Sequence, residues 1–191
     1  MVYAALICRA LVGLVFAVSA FSKLRNGSAY REFASWLASL PVPLARNRLL
    51  PPVLAGAEAA IVVLVAVPAT AVAGLALAVL TLAALTAGTA VAVRRGARVT
   101  CQCFGPSRTE LASHHVLRNG FLLVLAVVGL AVVGRAVFGP ASAGAVALRP
   151  AGIGLSLWAA VALATFVVFL DDVVFLVGRD SADRAKGVGL S

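Results

Sequence analysis

Between two long apolar segments the chain reads Cys101-Gln102-Cys103-Phe104-Gly105-Pro106. Two thiols one residue apart can close a disulfide, hold a metal, or exchange with the thiols of another protein. A disulfide across a single intervening residue closes a small, awkward ring. Strained disulfides are readily reduced, so such a pair suits exchange better than permanent bracing. Phe104-Gly105-Pro106 supplies a turn that can hold the sulfurs outward. Two other readings stay open. The cysteines can be unreactive loop residues, since Cys is a common small apolar side chain. With His114 and His115, eleven residues after Cys103, they can also make a tetrahedral metal site. The Cys spacing is not the usual gap for such a site, and paired histidines at a helix entrance are commonly an interfacial polar pair. No metal is therefore assigned. Cys8, in the first turns of the first apolar segment, reads as a small buried residue.

Other charged and polar residues stand where lipid is expected. Glu58 falls about 12 Å inside an otherwise apolar segment, and Arg9 about 8 Å in from the opposite end of the first one. A carboxylate at that depth is costly and needs a partner or a proton. An Arg9–Glu58 pair is the expected structural answer; a proton site or a polar contact for a quinone-like ligand is the functional alternative. Lys23, Arg118 and Asn119 are expected near the rim that carries the cysteines, with Asp171 and Asp172. Cations beside a thiol favour the reactive thiolate, which makes Lys23 and Arg118 candidates for tuning the cysteines. Snorkelling to the interface, or pairing with the two aspartates, would explain them equally well.

The segments that must position these residues are hydrophobic helices. The chain has 191 residues, 62% of them hydrophobic, and a mean hydropathy of +1.06. A soluble domain is about half apolar. Several charge-free runs approach the ~20 residues that cross a bilayer. They are continuous Ala, Leu and Val rather than alternating, which argues against a β-barrel. The formal charge of +9 fits basic residues flanking membrane spans better than nucleic-acid binding. Three cysteines are too few for a disulfide scaffold. Val18-Ser19-Ala20 resembles a signal cleavage site, but no basic region precedes the apolar run and Arg9 interrupts it, so a retained span is expected.

The expected architecture is all-α: a polytopic bundle of about five transmembrane helices over residues 1–178, with a short polar tail over 179–191. Four spans plus a peripheral last helix is the alternative. The spans are expected near Ala4–Ser22, 50–67, 70–93, Val116–Phe138 and Ile153–Val177. Tyr30, Phe33, Trp36, Leu37 and Leu40 recur at near-helical spacing, predicting a short amphipathic surface helix ended by Pro41 and Pro43. Val67-Pro68-Ala69 is the expected turn between spans two and three. Five spans put the termini on opposite faces. The basic excess then predicts a cytoplasmic cysteine loop and an outside N-terminus.

Three blocks of sequence resemble the MauE family of methylamine-utilisation membrane proteins, related to the DoxX-like proteins. Arg9-Ala10-Leu11-Val12-Gly13 with Phe16 and Ser22-Lys23-Leu24 is similar to that family's first span. Leu50-Pro51 followed by Glu58 is similar to its second. Cys101-Gln102-Cys103-Phe104-Gly105, then Leu117-Arg118-Asn119, resembles its most specific signature. The resemblance implies a small helical bundle needed to mature a disulfide-rich client, such as the small subunit of methylamine dehydrogenase, and a thioredoxin-like partner. The leading expectation is a lipid-embedded bundle whose Cys101 and Cys103 exchange with such a partner, with electrons passing to or from it or a quinone. The alternative is a non-enzymatic assembly or metal-handling factor.

Overall fold

The computed structural model describes residues 2–40, 47–95, 113–138 and 149–188. These form six helices: α1 (Val2–Leu24), α2 (Gly27–Ser39), α3 (Leu50–Ala66), α4 (Ala71–Arg94), α5 (Ser113–Phe138) and α6 (Pro150–Val188). No strand occurs among the described residues, as the expected all-α membrane fold requires. Four helical segments are long and apolar enough to cross a membrane: Tyr3–Leu24, Pro68–Arg94, Val116–Phe138 and Pro150–Phe169. The fifth expected span, α3, has 17 residues, about 25 Å of helix. It packs against both α1 and α4, so protein as well as lipid surrounds it.

Local sequence sets the boundaries. Asn26 caps α2, its side chain accepting from Ala29 N at 2.8 Å and so satisfying one of the helix's unpaired donors. Phe33 and Leu37, one turn apart, are the buried face of α2. Two prolines sit in the first turn of α3, where a missing N–H costs nothing. A 3-10 turn over Pro68–Thr70 reverses the chain between α3 and α4, where the turn was expected. Thr70 Oγ1 closes it by donating to Leu64 O at 2.8 Å.

α1 is the hub, packed against α3, α5 and α6. Its Leu11, Val12, Val15 and Phe16 meet Ile61 and Val65 of α3, Leu75 and Leu82 of α4, Leu122 of α5 and Val167 of α6 in one core. Two close approaches use glycine. A Cβ at Gly74 would stand 2.8 Å from the Val65 backbone nitrogen, and one at Gly129 would stand 2.9 Å from Cys8 Cβ. Cys8 is a half-buried free cysteine, at the α1–α5 crossing. Phe21, Val63, Leu80, Phe121, Trp158 and Phe166 point outward, as lipid-facing residues do.

α6 differs from expectation in length. It continues as helix to Val188, beyond the expected end near Val177 and through the segment read as a polar tail. No proline follows Pro150 to break it, and Arg179, Ala182, Arg184, Ala185 and Lys186 are good helix formers.

Candidate functional site

The buried stripe of α3 is Pro51, Ala55, Glu58, Ile61 and Val65. This is helical spacing, so Glu58 occupies a position that periodicity reserves for an apolar core residue. Its partner is Lys23. The Lys23 ammonium donates to Glu58 Oε2 at 2.8 Å and to Oε1 at 2.9 Å. It also donates to Ser19 Oγ at 2.7 Å, and Ser19 Oγ donates in turn to Glu58 Oε1 at 3.1 Å. Lys23 is 3% exposed and Glu58 1%. The three side chains form a closed ring joining α1 to α3. The Phe33 ring of α2 lies 5.2 Å from the ammonium, a cation–π contact made in a desolvated place. Trp36 stacks on Phe33 with centroids 6.2 Å apart.

The expected Arg9–Glu58 pair is therefore corrected. Arg9 donates instead to Val65 O at 2.9 and 3.2 Å and to Ala66 O at 3.3 Å. These carbonyls belong to the last turn of α3, which has no intrahelical donors left for them, and a cation is favoured at a helix C-terminus. Arg9 thus caps α3 some two turns away from Glu58. Lys23 reaches the carboxylate because helical side chains lean toward the N-terminus, carrying its charge from the last turn of α1 back into the bundle. Ser19, one turn before Lys23 on the same face, was not singled out in the sequence; its i, i+4 relation to a lysine was the available signal.

Arg118 and Asn119 lie near the start of α5 and are both buried, at 2% and 4% exposure. Asn119 lines a cavity of about 30 Å³ together with Ser19, Lys23, Glu58, Phe33 and Trp36, and with apolar residues of α1, α3, α4 and α5. The site thus gathers Lys23, Glu58 and Asn119, while Arg9 stands apart at the other end of α3. Cys101 and Cys103 lie outside the described residues, as does the metal reading built on them with His114 and His115. The loop that contains them leaves α4 after Arg94 and enters α5 at Ser113. Both helices line the cavity, through Leu82 and Leu85 and through Asn119 and Leu122.

No curated protein and no solved structure matches the chain. A family model does: that of the methylamine utilisation protein MauE, over residues 1–132. The matched part holds α1 to α4, both loop cysteines, the Lys23–Glu58 pair and most of α5, and it leaves α6 outside. With 132 of its 191 residues matched, this multi-pass membrane protein belongs to the methylamine utilisation protein MauE family.

Proposed function

We propose that the chain is a membrane-embedded thiol–disulfide exchanger whose Cys101 and Cys103 trade a disulfide with a thioredoxin-like protein or a disulfide-containing client. The observation that carries this reading is where the cysteine loop is rooted. α4 and α5, which end and resume on either side of it, both line the cavity beside the Lys23–Glu58 ring. Leu85 lies about 13 Å along α4 from its end and Asn119 about 9 Å along α5 from its start. The thiol pair is thus borne by the end of the bundle that concentrates its polar interior. The family's description supplies methylamine utilisation as the process served.

The exchange balances without a further reactant. The thiolate of one cysteine attacks a sulfur of the partner's disulfide, that S–S bond breaks, and the expelled partner sulfur takes a proton. The second cysteine then attacks the mixed disulfide. It leaves a Cys101–Cys103 disulfide and a reduced partner, with two electrons moved to the partner. The reverse sequence oxidises a client. Strain in a ring as small as Cys-x-Cys makes the disulfide readily reduced, which favours handing it on to a client. We assign thiolate tuning to Arg118, the sixth residue of α5, and to Lys23 in the last turn of α1. The charge distribution supports an outside N-terminus and a cytoplasmic cysteine loop. Lys23, Arg25, Arg31, Arg48, Arg94 and Arg95 lie toward the loop-bearing face, against Arg9, Arg135 and Arg149 toward the other.

Thiol trapping of the purified protein across a series of redox buffers tests the exchange. A two-electron couple assigned to Cys101 and Cys103, changing tenfold in ratio over about 30 mV, is the expected result. Full biological function in a Cys101→Ser, Cys103→Ser double variant would overturn it. Impermeant maleimide tests the orientation separately: labelling of either cysteine from outside intact cells reverses it.

A further inference from the structure

The cavity beside the Lys23 ring is lined by Asn119, which has an unmade donor, and by Glu58, which has an unfilled acceptor site. The Lys23 ammonium donates to Glu58 Oε1, Glu58 Oε2 and Ser19 Oγ, and at 3.4 Å to Ser19 O. The Ser19 hydroxyl proton is spent on Glu58 Oε1. A carboxylate offers about four lone-pair sites. Oε1 accepts two hydrogen bonds, whereas Oε2 accepts from Lys23 alone among the described residues. Asn119, which lines the same cavity, is 4% exposed, and its side-chain Nδ2 has no acceptor among the described residues. A buried amide donor left unmade is costly, so both groups call for a molecule between them.

The size of the cavity decides what that molecule is. Its volume of about 30 Å³ exceeds the minimum needed to hold a water. Most of the wall is hydrocarbon, and the unmade donor of Asn119 with the open lone pairs of Glu58 supplies the polar partners that a buried water needs. We infer that the cavity is a binding site for one ordered water that accepts from Asn119 Nδ2 and donates to Glu58 Oε2. The water extends the α1–α3 ring to α5, making a four-membered polar network inside an otherwise hydrocarbon core. Phe33 and Trp36 of α2 line its wall. Asn119 is accordingly a positioning residue: through the water it ties the helix that follows the cysteine loop to the ion pair. This inference does not depend on the thiol chemistry, and either can fail without the other.

The chain has three asparagines, Asn26, Asn47 and Asn119, and the first two are exposed. The full chain, labelled with nitrogen-15 in its asparagine side chains and reconstituted in bilayers, is measured by solid-state NMR for magnetisation transfer from water. Transfer to the Asn119 side-chain amide is expected. It should be lost in Leu122→Phe, which fills the cavity from its apolar wall and leaves Asn119 in place; transfer to Asn26 and Asn47 should persist. Leu85→Phe fills the same space from α4 and serves if Leu122→Phe does not fold. Absence of transfer to Asn119 in the unaltered chain overturns the inference. So does transfer that survives in a folded filled-cavity variant, because the amide would then be reached by water that does not occupy the cavity.

Discussion

Removing one member of the Lys23–Glu58 pair should cost more than removing both. The contact lies in the bundle core, with both side chains nearly inaccessible. Glu58→Gln keeps the shape of the side chain but removes the carboxylate charge that faces the buried ammonium. Lys23→Met strands the carboxylate, with the Ser19 hydroxyl as its remaining side-chain donor among the described residues. Breaking a buried ion pair in this way costs about 3–5 kcal/mol, because the surviving charge stays desolvated, whereas replacing the whole pair is often near neutral. Each single variant should therefore lose about 3 kcal/mol or more, and the double variant should lose less than their sum by about 2–4 kcal/mol. The assay is reversible unfolding of the purified protein in mixed micelles, followed by tryptophan fluorescence. Trp36 lines the cavity and reports on the site. A second cycle serves as control. Glu58 is seven residues, about 10 Å along the helix, from the Val65 carbonyl that Arg9 holds, so Arg9→Met and Glu58→Gln should add. Lys23 and Glu58 losses that add to within about 0.5 kcal/mol would refute the pairing. Strong coupling of Glu58 to Arg9 instead would refute the assignment of partners.

Gly74→Ala should destabilise by roughly 1–3 kcal/mol, since its Cβ would meet the Val65 backbone; the same unfolding assay measures it, and a neutral result would mean that α3 and α4 part easily. Arg9→Met should cost about 1–2 kcal/mol by leaving the last carbonyls of α3 without their cationic donor, with little effect on Lys23–Glu58 coupling. Cys101→Ser and Cys103→Ser should each abolish activity yet leave membrane insertion intact, and a mixed disulfide with a partner should accumulate in one of them only, visible on a non-reducing gel. Cys8→Ser should be nearly silent in the same activity assay.

The helical skeleton was legible because its signals are local. Pro68 marked the reversal, the prolines after Leu50 marked an entry, and the aromatic spacing of Tyr30, Phe33 and Trp36 marked a helix lying across the bundle end. Glu58 was equally legible as an anomaly, since a carboxylate in an apolar run stands out whatever surrounds it. Its partner was not. Depth arithmetic favoured Arg9, but an arginine can be satisfied by backbone carbonyls, which leave no trace in side-chain identity. Lys23 was placed at the rim by the level of its Cα, whereas its long side chain leans a turn deeper. The length of α6 was missed for a related reason. Hydropathy reports where lipid ends, and a helix need not end there.

The ion pair also bears on how the chain is assembled. α3 is short and carries a carboxylate near its middle, and a charged residue at the centre of a span costs about 3 kcal/mol on insertion. By the order of the sequence, α1 leaves the ribosome first, with Lys23 in its last turn, where an ammonium can wait in the headgroup region. When α3 emerges, the counter-charge it needs is already in place on its neighbour. α4 follows at once through a three-residue turn and can enter with α3 as a hairpin. Biogenesis is thereby ordered: α1 acts as an insertion template for α3, and a lysine at its end is what the later helix reads.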